Sequence, residues 1–170
     1  DITAWNVSNV LDMASMFEGA SSFNQNIGGW DVTDANTMAS MFKNATSFNQ
    51  NLEFWDPENV TNYSSMFEGA VLFNQDISKW PVLKGTNMEN MFKNATSFNQ
   101  NLTFWLLTPT SGLPPLTNMF QTSGMVGNTF GLSTPTPLKS QFNQGRPPEA
   151  ITNDKIHAIV NDWIANPSAS

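Results

Sequence analysis

The chain has no cysteine, one histidine and one tyrosine, and only 12 % of its 170 residues are charged. Without cysteine there is no disulfide, no thiolate nucleophile and no thiolate-bound zinc. The single histidine, His157, stands in the last segment of the chain, so a Ser-His-Asp triad or a histidine-rich metal site is not expected. The D-x-D-x-D-G pattern of a calcium loop is missing as well. Seven basic residues against fourteen acidic ones leave a net charge of −7, which repels a phosphate backbone and an anionic lipid surface. No apolar run reaches the roughly 18 residues that a membrane-spanning helix needs, and no secretory leader is visible. Nothing points to a cofactor. The sequence opens mid-pattern, at DITAWNVSNV, and is expected to be a piece of something longer or a processed product.

What the chain does have is a repeat. Tryptophan recurs at 5, 30, 55, 80 and 105, and Phe-Asn-Gln at 23, 48, 73 and 98. Met-Phe recurs at 16, 41, 66 and 91, and alanine at 20, 45, 70 and 95. Four registers that share one 25-residue period imply a solenoid, in which each unit buries its apolar face against its neighbours. Within a unit, Val10, Met13, Met16, Phe17 and Ala20 follow the spacing of one helical face. Phe23, Gln25 and Ile27 alternate as a short strand does, and Gly28-Gly29 marks a corner. The expected coil is therefore a helical turn, a corner, a short parallel strand and a second corner. Gln25 is expected inside with Phe23 and Ile27, and Asn24 outside as a polar stripe. Pro57 and Pro81 fall in the corner after tryptophan, where the chain is expected to differ.

A second period overlies the first. The residue after Met-Phe runs Glu18, Lys43, Glu68, Lys93, and the next runs Gly19, Asn44, Gly69, Asn94. Alternate units resemble each other most: KNATSFNQNLEFW at 43–55 and KNATSFNQNLTFW at 93–105 differ at one position. Stacking would place the charges in an alternating ladder along one edge, an arrangement that fixes the order of the units.

After Trp105 the pattern loosens. A Met-Phe returns at 119–120, three residues late, and an FNQ at 142–144, within a Gly/Pro-rich stretch. The expected organisation is a regular solenoid over 1–106, a degenerate terminal repeat and linker over 107–149, and an amphipathic C-terminal helix over 150–167. That helix carries Ile156, Ile159, Val160, Trp163 and Ile164 at helical spacing.

The unit FNQ-x-I-x-x-W-D-V-x-x-x-x-x-M-x-x-MF-x-x-A resembles the repeat of the BspA-like leucine-rich-repeat surface proteins, also found in mycoplasma-type surface lipoproteins. The resemblance is close over residues 1 to about 105. It implies a right-handed, leucine-rich-repeat-like solenoid displayed outside a cell or particle, with adhesion the commonest role, and it carries no catalytic residues. In relatives an Ile/Trp helix like ITNDKIHAIVNDWIANPSA precedes such an array, so the chain is expected to be one period of a longer tandem protein.

Two functions fit, neither of them enzymatic. One is a structural segment or subunit of an extracellular fibre or coat that joins head to tail through the solenoid ends and the terminal helix. The other is an adhesin that binds a host protein or glycan through a lateral face. The variable positions 28–29, 53–54, 78–79 and 103–104 are the natural place for recognition on a constant scaffold, with Phe54, Phe104, Lys79 and Glu53 as candidate contacts. Sequons at Asn6, Asn44, Asn59, Asn62, Asn94 and Asn101 would accept glycans in a secretory pathway that attaches them. Asp31 and Asp56 would stack as neighbours and are expected to cap turns.

Overall fold

A computed structural model describes residues 1–107, 114–127, 134–138 and 141–142. The chain runs in stacked coils: coil 1 over 1–25, coil 2 over 26–50, coil 3 over 51–75, coil 4 over 76–100, and coil 5 over the described residues 101–107 and 114–127. Residues 150–167, the expected terminal helix with Ile156, Ile159, Val160, Trp163 and Ile164, lie outside the described residues, as does most of the expected linker.

The coils stack at the expected period, but they are not a leucine-rich-repeat-like solenoid of strands and helical turns. Among the described residues there is no α-helix and no continuous sheet, and the only β pairing is three isolated parallel bridges, Asp12–Thr37, Thr37–Asn62 and Asn62–Asn87. The segment that reads as helical is a chain of overlapping turns. Within coil 3 the N–H groups of Met66, Glu68 and Ala70 donate three residues back, to the carbonyls of Tyr63, Ser65 and Phe67. The alternate N–H groups leave the coil: those of Tyr63, Ser65, Phe67 and Gly69 donate to Asn87, Glu89, Met91 and Lys93 of coil 4, at 2.8–2.9 Å. A helix would send all of them up its own chain.

The backbone conformation explains the difference. Ser15 and Gly19, Ser40 and Asn44, Ser65 and Gly69, Asn90 and Asn94, and Asn118 and Thr122 all hold positive φ, between 55° and 71°. One left-handed residue every four interrupts any helix, and Gly and Asn meet that demand at the least cost, while Ser15, Ser40 and Ser65 are held there against a penalty. Successive turns still bring an apolar side chain inward every three or four residues, so the sequence pattern imitates a helix.

The expected strand fails for another reason. Its rungs are built by side chains. The N–H groups of Asn49, Asn74 and Asn99 donate to the side-chain oxygens of Asn24, Asn49 and Asn74 in the coil before, at 2.9–3.0 Å. The amides of Gln50, Gln75 and Gln100 donate to the same three oxygens. Gln25 is therefore exposed rather than buried, and its equivalents are half-buried over the asparagine ladder.

The core is a set of columns. Phe17, Phe42, Phe67, Phe92 and Phe120 stack at 5.5–5.8 Å, and Phe23, Phe48, Phe73 and Phe98 at 5.7–5.9 Å. The two columns touch within each coil, at 3.9–4.0 Å. Each such ring contributes roughly 2 kcal/mol by leaving water. The tryptophans tie coil to coil: the indole N–H of Trp55, Trp80 and Trp105 donates to Ile27, Leu52 and Ile77, 28 residues back, at 3.0 Å. From Pro115 on, coil 5 lies in register with coil 4, with Met88, Phe92 and Asn94 donating to Pro115, Met119 and Gln121.

The two proline corners diverge. Pro57 keeps the turn seen in the other coils, since Val60 donates to its carbonyl as Val10 does to Val7. At Pro81 the Val82 N–H closes a tighter turn onto Trp80, centred on a residue whose fixed φ suits it. Pro57 also serves Tyr63, which replaces the methionine of positions 13, 38 and 88. The buried phenol donates to the Pro57 carbonyl at 3.0 Å. Burial, helped by the Asp56 charge, pushes its pKa far above the usual value of 10. The folded protein therefore holds this proton longer than the unfolded chain does. Stability is full below pH about 10 and falls as pH rises past it, because only the unfolded chain ionises there. Tyr63→Phe is expected to cost about 1 kcal/mol at neutral pH and to flatten this alkaline fall. Thermal melts between pH about 8 and about 11 check it, and since Tyr63 is the only tyrosine, a phenolate absorbance titration reads it alone.

Candidate functional site

Among the described residues, no three His, Cys, Asp or Glu side chains stand close enough to share a metal ion. Asp31 caps a turn: it accepts from the Thr33 hydroxyl at 2.6 Å and its N–H at 3.1 Å, and the hydroxyl, then the N–H, hold its carboxyl below the usual range. Asn26, Asn51, Asp76 and Asn101 do the same for the corner before the variable tips, each accepting an N–H two residues on, at 2.8–3.1 Å. Such side-chain-to-backbone turns are what Asx residues favour.

The lateral tips hold the predicted contacts in unequal states. Phe54 is 83 % exposed, whereas Phe104, two coils on, is half-buried. Lys79 reaches back to Glu53, with Nζ 2.6 Å from Oε1, and that carboxylate, first by hydrogen bond and then by charge, raises the lysine pKa. The structure thus joins Lys79 to Glu53 and leaves Phe54 standing beside them. Of the sequon asparagines, Asn6, Asn44 and Asn94 are exposed, while Asn59, Asn62 and Asn101 are half-buried and hydrogen-bonded within turns or across coils.

The charged edge forms around one residue. Glu68 accepts Lys43 from coil 2 at 3.5 Å and Lys93 from coil 4 at 3.6 Å. Glu18 takes instead the Ser15 hydroxyl of its own coil, at 2.6 Å.

Coil 1 covers its stacking residues less than the later coils do. Trp5 is 54 % exposed where Trp30 is 4 %, and Met16 is 37 % exposed where Met41 is fully buried. Phe17 and Phe23 are only partly covered, and Leu11 is open. The face is also polar in a defined sense. Coil 2 turns the carbonyls of Thr37, Ala39, Met41 and Lys43 toward coil 1, where each accepts an N–H. The equivalents in coil 1, the carbonyls of Asp12, Ala14, Met16 and Glu18, look out from the stack.

No helix among the described residues is long and apolar enough to cross a membrane. No curated protein matches the chain, and neither does any solved structure. Residues 1–105, the whole regular stack, match the family described as Mycoplasma protein of unknown function, DUF285, and the chain belongs to that family.

Proposed function

We propose that the chain is a non-enzymatic structural protein, a segment or subunit of an extracellular fibre or coat that assembles through the ends of its stack and the terminal helix. The observation that carries this reading is the stacking itself: along 13–19 and its equivalents each coil donates a row of N–H groups to the next, over continuous aromatic columns, so one coil is the natural partner of another. The resemblance to BspA-like leucine-rich-repeat surface proteins supports a place outside the cell. Sedimentation and electron microscopy of the purified chain test the reading. Rods that lengthen with concentration are expected, and Trp5→Lys should hold them as single particles with little change in Tm, because Trp5 is already half in water. Single particles from the unmodified chain at every concentration would count against it.

The adhesin reading is favoured by one specific observation, the exposed Phe54 ring beside the Lys79–Glu53 pair. An aromatic face flanked by polar groups suits a sugar or an interface. Loss of binding to an immobilised host protein or glycan in Phe54→Ala, with an unchanged melt, would support it over the fibre.

A further inference from the structure

We propose that the side of the stack built from residues 20–27 and their equivalents binds a linear, uncharged glycan laid along the coils. The ligand class deepens the lateral-binding reading and rests on it, but the site is separate from the tip at Phe54 and from the ends of the stack. Three features of this side define the ligand.

The first is charge. Among residues 20–27, 45–52, 70–77 and 95–102 the only charged residue is Asp76. The neighbouring side, 12–19 and its equivalents, carries Asp12, Glu18, Lys43, Glu68, Glu89 and Lys93. The exposed positions here are instead serine, threonine, asparagine and glutamine, with Val71 and Leu72 among them. With no lysine or arginine on this side and a net charge of −7 on the chain, an acidic polymer is repelled. A partner rich in uncharged hydroxyls meets the side without stripping water from a charge.

The second is a row of amides fixed in place. The side-chain oxygen of Asn24 accepts the Asn49 N–H at 2.9 Å and the Gln50 amide at 3.0 Å. Asn49 does the same for Asn74 and Gln75, and Asn74 for Asn99 and Gln100. An oxygen held by two donors settles which way each asparagine amide points. The Nδ2 groups of Asn24, Asn49 and Asn74 and the Oε1 atoms of Gln50, Gln75 and Gln100 bond to no described group, and those glutamine oxygens are open to water. Each step of the ladder thus offers one free donor and one free acceptor, already oriented, so little rotamer freedom is lost on binding. Neighbouring hydroxyls of a sugar both donate and accept. A glycan running along the stack meets a new amide pair at every coil, roughly 5 Å on.

The third is an apolar spot in the middle of the polar side. Coil 3 has Val71 and Leu72, both exposed, where coils 1, 2 and 4 have Ser21-Ser22, Thr46-Ser47 and Thr96-Ser97. Leu72 and Asn74 flank the buried Phe73, so the leucine stands beside the amide ladder. A sugar ring has C–H faces as well as hydroxyls, and an apolar side chain next to oriented amides serves both.

The test is electrophoresis of the full chain through native gels that contain a soluble polysaccharide: a mixed-linkage β-glucan, a galactomannan, or polygalacturonate as the acidic control. Retardation in at least one neutral gel and none in polygalacturonate is expected. Asn49→Asp keeps both acceptor contacts of the ladder and removes the free Nδ2 donor, so it should weaken retention about 3–10-fold with Tm nearly unchanged. Leu72→Ser, which installs the residue of the other coils, should weaken it about 5-fold. Phe54→Ala should be retained as the unmodified chain is. Free mobility in both neutral gels, equal retardation in polygalacturonate, or full retention of both Asn49→Asp and Leu72→Ser would overturn the proposal. Loss of retention in Phe54→Ala alone would also overturn it and place the ligand at the tip, leaving the lateral-binding reading standing without this site.

Discussion

Phe67→Ala is expected to remove about 4 kcal/mol of stability. Phe67 is fully buried at the centre of the stack. Its ring lies 5.5 Å from Phe42 and 5.6 Å from Phe92 in the flanking coils, 4.0 Å from Phe73 in its own, and 6.3 Å from Trp80. The cavity opens on two coils at once, and in a linear array each coil leans only on its neighbours. The loss therefore uncouples coils 1 and 2 from coils 4 and 5, leaving short arrays below the roughly three units that stacking needs. Urea unfolding should show a lower midpoint and a broadened or split transition. Phe17→Ala is the control: the same column position in coil 1, partly exposed, with a neighbour coil on one side only. It should cost about half as much. Equal losses at the two positions would mean that the column does not carry the coupling between coils.

Gly69→Ala is expected to cost about 2–3 kcal/mol, from two sources that can be separated. Gly69 holds φ at +69°, where an L side chain costs roughly 1–2 kcal/mol. The new methyl would also overlap the Asn44 side-chain oxygen. Asn44→Gly in the same chain removes the overlap and leaves the strain, so the double variant should recover part of the loss and no more. Chemical denaturation of the two single variants and the double variant gives the coupling directly. A strictly additive pair would show that Asn44 and Gly69 do not form a fitted pair.

The sequence made the stack legible because one period drives several residue types that meet in space: Trp donors, Phe columns and Met-Phe turns all fall every 25 residues. The alternation of Glu and Lys was also readable, and around Glu68 it forms as expected. The path of the chain within a coil was not readable. Val10, Met13, Met16 and Phe17 have the spacing of a helix, but side-chain period does not say whether an N–H bonds along its own chain or across to the next. The positive φ at Ser15, Ser40 and Ser65 decides that, and serine is a weak marker for it. The Gly/Asn alternation at 19, 44, 69 and 94 was the stronger marker, since only these residues visit that region readily. The strand failed for a similar reason: alternation at Phe23, Gln25 and Ile27 cannot reveal that an asparagine side chain takes the place of a backbone acceptor. The candidate site was half readable. The tips that vary between coils held the exposed Phe54, but nothing in their identical residue type separates it from the half-buried Phe104.

The one-way bonds of the 13–19 edge have an electrical consequence. Peptide dipoles that line up head to tail add, as they do along a helix, leaving a partial negative charge where the carbonyls end and a partial positive charge where the N–H groups end. Here the alignment runs across coils rather than along the chain, in parallel files from coil 1 toward coil 5. The bonds on the other sides, such as Asn36 to Leu11 and Ser47 to Ser21, run the opposite way but are fewer. The edge that carries Glu18, Lys43, Glu68 and Lys93 thus lies in a field of its own, negative toward coil 1. A cation brought to that end is attracted by the carbonyl files as well as by Glu18, and each coil added to the array extends the files without weakening their ends.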